Sequence, residues 1–206
     1  VTAPILIASF NPGKARELMA LLAKSGRRAT TLRDAGIDVP YEETGHTYEE
    51  NGLGKARHYA RLAGLVTIAD DSGLEVDALG GAPGPLSARY GGPGLDDEGR
   101  NRALLAALRD VPEAERGARY VAVAVVARPD GEARAFRGEV RGRLLEKPRG
   151  AGGFGYDPLF FHEPYGVTFA EVSDERKHAV SHRGAAFGKL AEWLASPEGE
   201  RFTCGW

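Results

Sequence analysis

Two adjacent carboxylates, Asp70 and Asp71, open the tetrapeptide Asp70-Asp71-Ser72-Gly73 directly after an apolar run, residues 65–69. Neighbouring carboxylates repel, and holding both ionised is costly unless a cation sits beside them. Mg²⁺ suits that place if a polyphosphate binds nearby. The same four residues also read as an Asp-Ser-Gly turn with solvated acids. A second acidic pair, Glu42-Glu43-Thr44-Gly45, lies in a loop and taken alone reads as solvated.

The cations and small polar groups fall elsewhere. Ser9-Phe10-Asn11-Pro12-Gly13-Lys14 leads from a short apolar strand into a helix. Unpaired N–H groups and the helix dipole favour an anion at such a start. Asn11 is a good N-cap, and Pro12 suits the first helical position. The turn therefore reads either as a phosphate seat or as an ordinary capped helix with a solvated lysine. It is not a Walker loop: Ala8 stands where the first glycine belongs, and Ala15 replaces the metal-binding hydroxyl.

Gly152-Gly153-Phe154-Gly155-Tyr156-Asp157-Pro158 embeds two aromatics and an acid among glycines. Backbone can approach a flat ligand there and a ring can stack on it, or the aromatics can fold back into the core. Lys177-His178-Ala179-Val180-Ser181-His182-Arg183 places cations at the entry of the last helix. A zinc site built on His178 and His182 lacks further ligands. His182 and Arg183 read better as donors to ligand carbonyl oxygens, or as surface cations.

These groups need a scaffold. Residues 5–9, 28–32, 65–69 and 159–161 read as strands, and 120–127 with 132–140 as a hairpin around Pro129-Asp130-Gly131. Residues 14–24 read as a helix with Leu18, Leu21 and Leu22 on one face. Thr47-Tyr48-Glu49-Glu50 is a capping box opening a helix to about Ala63, with Gly64 as its stop. Helices are also expected over 96–109 and 181–195. Strands alternate with helices early and a hairpin follows, which predicts an α/β fold with a mixed sheet.

Composition excludes several classes. The 206 residues carry a net charge of −2 and are 42% hydrophobic and 27% charged, enough for a sizeable core and without a basic stripe for nucleic acid. Cys204 is the only cysteine, so neither an intrachain disulfide nor a cysteine metal cluster can form. The longest apolar run, 120–127, is too short to cross a bilayer. With no signal-peptide pattern at the start, a cytoplasmic protein is expected, with no membrane and no nucleic-acid partner.

In this order the motifs resemble one family. Ser9-x-Asn11-x-x-Lys14-x-x-Glu17, Glu42-Glu43-Thr44-Gly45, Glu50-Asn51-x-x-x-Lys55-Ala56, Asp70-Asp71-Ser72-Gly73-Leu74, Gly80-Gly81-Ala82-Pro83-Gly84 and Ser87-Ala88-Arg89-Tyr90 are followed by Gly153-Phe154-Gly155-Tyr156-Asp157-Pro158 and Ser181-His182-Arg183. Together they resemble the inosine/xanthosine triphosphate pyrophosphatases along essentially the whole chain. The resemblance implies one catalytic α/β domain over 1–206, with two lobes around a long mixed central β-sheet flanked by helices and an active-site cleft between the lobes. It implies Mg²⁺-dependent hydrolysis of ITP, dITP and XTP to monophosphate and pyrophosphate, by a homodimer.

By motif match, the turn Ser9, Phe10, Asn11, Pro12, Gly13 and Lys14 would hold the phosphates. Glu42 and Asp71 would hold Mg²⁺, with Asp71 also the general base, and Ser72 would contact the substrate. Phe154 would stack on the purine, with Gly155, Tyr156 and Asp157 completing that wall. Lys177, His182 and Arg183 would reach the nucleotide, the last two near its 6-oxo group. Phe10 departs from the family's smaller residue. A pyrophosphatase for modified pyrimidine triphosphates and a non-catalytic nucleotide sensor are the alternatives. The purine-stacking Phe154 beside Ser-His-Arg argues against the first, and retention of Asp71 and Glu42 against the second.

Overall fold

The computed structural model describes residues 3–23 and 26–205. Seven strands form one sheet: β1 Ile5–Ile7, β2 Ala29–Thr31, β3 Thr67–Val76, β4 Gly117–Ala127, β5 Ala133–Leu144, β6 Phe160–His162 and β7 Val167–Thr168. Their order is β2-β1-β3-β4-β5-β6-β7. β1 pairs with β2 and β3 in parallel, whereas β6 pairs antiparallel with β5 and β7. The mixed sheet expected of the sequence is present. Among the described residues six α-helices accompany it: α1 Pro12–Ala23, α2 Tyr48–Ala63, α3 Asp97–Ala107, α4 Asp174–His178, α5 His182–Leu194 and α6 Pro197–Thr203. The expected helix end at Lys24 and the side chain of Leu21 lie outside the described residues.

The backbone divides into two compact units. The first comprises residues up to Asp71, Ala122–Gly138 and the chain from Arg183 onward. Its core joins Ile5 and Ile7 of β1, Leu18 and Leu22 of α1, Val66 just before β3 and Ile68 within it, and Phe187, Leu190 and Leu194 of α5. On the other side of β3 and β4, α2 comes so close that a Cβ on Gly52 would meet Val125 Cγ2 at 3.0 Å. The start of α2 is the expected capping box, Thr47 with Glu50, and Gly64 ends it at φ 65°.

The second unit comprises Ser72–Val121 and Glu139–His182. Its core gathers Leu74 and Val76 of β3, Leu104 of α3 and its C-cap Leu108, Tyr120 of β4, Leu144 of β5, and Tyr156, Phe160 and Phe169. β4 is buried almost throughout, which explains its unbroken apolar run, since a central strand covered on both faces has no solvent side.

One expectation is corrected. β3 does not stop at Asp70: it runs ten residues, and Asp70-Asp71-Ser72-Gly73 lies in its interior rather than in a turn. Paired carboxylates tolerate that position because each finds partners within the fold, as described next. α4 and α6, too short to show a helical period, were not foreseen.

Candidate active site

Alternation along β3 sends Asp70 and Asp71 to opposite faces. Asp70 shares the face of Val66 and Ile68, toward α1 and α5. There Lys14 Nζ lies 3.4 Å from Asp70 Oδ2, and Arg183 Nε lies 3.2 Å from the same oxygen. Arg183 Nη1 also reaches Glu17 Oε2 at 3.2 Å. Lys14 and Glu17 stand in the first turns of α1, where Asn11 Oδ1 accepts from Lys14 N at 3.0 Å and completes the N-cap. Pro12 occupies the first helical position, as its fixed φ favours. Around that turn Gly13 is half-buried, the Ser9 hydroxyl donates to Asn11 O at 3.4 Å, and Phe10 is half exposed with its ring edge-on to Tyr59 at 6.3 Å.

Asp71 points to the α2 face. Asn51 Nδ2 donates to Asp71 Oδ2 at 3.0 Å, while Asn51 Oδ1 accepts from Gly45 N at 2.8 Å. One buried amide thus ties the carboxylate to the acidic loop. One turn along α2, Lys55 Nζ pairs with Glu43 Oε1 at 2.5 Å. Glu42 is exposed, and among the described residues no hydrogen bond or ion pair engages it.

The two acids are driven apart. Burial alone would raise Asp70, but the charges of Lys14, Arg183 and Lys55 prevail and hold it well below the usual carboxylate range. Asp71 is pushed up, mainly by burial and further by Glu43, against the opposing pull of Lys14 and Lys55. Lys14 is lowered by its own burial, and Lys55 raised by Asp70, Glu43 and Asp71 despite burial. Neighbouring groups separated in this way commonly divide into a fixed charge and a proton acceptor.

The aromatic residues of the second unit form a wall. Gly153 has φ 70° and lies so near Asp157 that a Cβ there would collide with Asp157 Oδ2. Asp157 Oδ2 accepts from Phe154 N at 2.9 Å and from Lys177 Nζ at 2.6 Å. Lys177 Nζ stands 4.7 Å from the centroid of the half-buried Phe154 ring. Gly155 is left-handed at φ 64°, and the buried Tyr156 hydroxyl donates to Ser87 O at 2.7 Å. His182 stacks on Tyr120, ring centroids 4.6 Å apart. Ser72 is half-buried on β3.

The structure therefore gathers Lys14, Asp70, Asp71 and Arg183 in the first unit, and Phe154, Gly155, Tyr156, Asp157, Lys177 and His182 in the second. Arg183, expected near a base, is engaged by Asp70 and Glu17. Asn51, Lys55, Glu43 and Glu17 received no role from the sequence. The capping box gave a usable signal for two of them, since it sets the phase that puts Asn51 and Lys55 on one face.

The model of the Ham1 family matches residues 5–193. The chain belongs to the Ham1 family. A Thermus thermophilus protein named dITP/XTP pyrophosphatase is 53% identical over 188 residues, covering 91% of this chain and 90% of that protein. One of the same name from Yersinia pseudotuberculosis is 50% identical, covering 92% and 97%. Among solved structures, a HAM1 protein from Coxiella burnetii superposes with a TM-score of 0.84 at 36% identity, covering 93% of this chain and 98% of that one. A nucleoside-triphosphatase / dITP/XTP pyrophosphatase from Mycobacterium abscessus gives 0.73 at 42%, covering 94% and 100%.

A divalent cation can be tested against the donors present. Asp71 and the loop Asn51 ties to it offer carboxylate oxygens, which suit a hard cation. Among the described residues no group of three or more His, Cys, Asp or Glu is gathered for a metal. Mg²⁺ commonly takes only one or two carboxylates and completes its shell with water and substrate phosphate. The pressure of burial and Glu43 on Asp71 is the kind a bound cation relieves, so the donors fit.

Proposed function

We propose that this protein hydrolyses the triphosphates of deaminated purines (ITP, dITP and XTP) to monophosphate and pyrophosphate, clearing them from the nucleotide pool. The observation that carries the reading is the divided acid pair: Asp70 held between Lys14 and Arg183 on one face of β3, and buried Asp71 held by Asn51 on the other. In the reaction a water oxygen bonds to the α-phosphorus as the bond to the bridging oxygen breaks, and pyrophosphate leaves with that electron pair. Asp71 takes the proton from the water. Lys14, with the turn Ser9 to Gly13, neutralises charge on the phosphates. Asp71 and Glu42 would hold Mg²⁺, which would supply Lewis-acid polarisation of phosphate oxygens. Glu43 is committed to Lys55, which leaves exposed Glu42 for that role.

Phe154 stacks on the base, backed by Lys177, and Gly155, Tyr156 and Asp157 shape that wall. Lys177 and His182 offer donors that a 6-oxo purine accepts and the 6-amino group of adenine does not. Arg183 acts first on Asp70, and Ser72 contacts the substrate. The chain works as one catalytic domain in the cytoplasm and, by the resemblance alone, as a homodimer. No helix among the described residues is long and apolar enough to cross a membrane.

The product tests the reaction. With dITP and Mg²⁺, phosphate should be detected only after inorganic pyrophosphatase is added; orthophosphate released without it overturns the reading. Equal turnover of dUTP would favour the pyrimidine alternative, and tight dITP binding without turnover the sensor.

A further inference from the structure

We propose that Asp97 and Asn101 of α3 are positioning residues for base recognition, clamping the Gly155 peptide that aims Phe154. This inference rests on the reading of Phe154 as the base-stacking ring. Asp97 Oδ2 accepts from Gly155 N at 2.7 Å, and Asn101 Nδ2 donates to Gly155 O at 3.0 Å. The two side chains are four residues apart and so share one helix face. Asp96 caps the helix through Gly99 N at 2.7 Å, which sets the phase of that face.

Among the described residues, the hydrogen bonds to the Gly155 backbone come from α3 rather than from its own segment. Asp157 fixes the Phe154 N–H, and the Tyr156 hydroxyl is tied to Ser87. Between them stands a glycine at φ 64° with open space around its missing Cβ, free to swing unless held. The clamp takes both of its backbone polar groups. Asn101 carries a cost for doing so. It is 7% exposed, on the face of α3 that also buries Leu104, and its Oδ1 is buried with no hydrogen-bond partner among the described residues. An apolar residue would satisfy that core position better. A buried amide kept there is explained by the one bond it makes.

The device predicts that base affinity and phosphate affinity can be separated. Asp97→Ala and Asn101→Ala should each raise KM for dITP and weaken IMP binding by about tenfold, the effect of one or two lost hydrogen bonds. Inhibition by tripolyphosphate, which has no base, should be unchanged, as should kcat at saturation. Asp97→Asn retains an acceptor for Gly155 N and should restore near-normal IMP affinity, which a merely structural aspartate would not require. Phe154→Ala is the control. If it weakens IMP while the clamp variants do not, or if they weaken tripolyphosphate equally, the clamp is overturned. If Phe154→Ala leaves IMP binding intact, the base wall itself is wrong and the clamp's role falls with it.

Discussion

Buried charge is crowded around Asp70 in the first unit and set apart at Asp157 in the second. Asp70 meets two cations, and one of them, Arg183, reaches a further acid, Glu17. Among the described residues Asp157 in the second unit has a single cationic partner, Lys177, both side chains almost wholly buried. Its other contacts are the Phe154 N–H and, at 3.4 Å, the Tyr120 hydroxyl. A crowded group loses one member and keeps a partial balance; an isolated pair cannot. The first arrangement suits a site where charge must be absorbed, the second a site where shape must be kept.

The largest effect should come from Asp71, the acid on the other face of β3, held by Asn51. Asp71→Asn removes the proposed proton acceptor while keeping its shape and its place beside Asn51. Turnover of dITP should fall by roughly 10³-fold or more, within the range general bases contribute. Because burial disfavours the charged carboxylate at that position, the neutral amide should melt no lower than the parent. Activity loss with an unchanged or raised melting temperature supports the role; near-normal turnover removes it.

Next come the two salt bridges, compared through stability. Lys177→Met strands a buried Asp157 and should cost about 3–5 kcal/mol, as lone buried charges do. Lys14→Met leaves Asp70 with Arg183 and should cost clearly less, by calorimetry or chemical denaturation. Equal losses would mean that the first group is no better balanced than the second. The same contrast appears in substrate kinetics. Lys14→Ala should weaken dITP and dATP alike, by roughly 10- to 100-fold in KM for a lost charge-assisted contact. A changed dITP-to-dATP ratio would place Lys14 at the base instead.

The two regions were not equally legible in the sequence. The helix start at Asn11-Pro12, the capping box Thr47/Glu50 and the mixed sheet follow from local rules and appear as read. Asp70-Asp71 was misplaced at a strand end because charge inside a central strand is costly, and only tertiary partners far along the chain, such as Arg183, remove that cost. Arg183 shows the same limit: its type announces an anion partner, but nothing local says whether that partner is a ligand or Asp70. In the second unit the glycines announced a loop, yet the hold on Gly155 comes from α3, more than fifty residues earlier, and no spacing rule links the two.

The smallest expected effect concerns acid. His162 is buried in the second unit, with Nδ1 lacking a hydrogen-bond partner among the described residues, and burial lowers its pKa from the ordinary 6.5 despite nearby Glu163. A histidine lowered on folding contributes stability that is complete above its unfolded pKa and is lost as pH falls through its folded value. Asp70 is also lowered, but from 3.8, so its contribution is intact until far more acid conditions. Between pH 7 and 5 the second unit should therefore loosen while the first does not. The slope for one proton is at most ~1.4 kcal/mol per pH unit. Hydrogen exchange at the two pH values should show earlier loss of protection in β6 and β7 than in β1, and His162→Phe should flatten the difference. Equal loosening of β1, or a difference that survives the substitution, would mean that His162 is not the group that sets it.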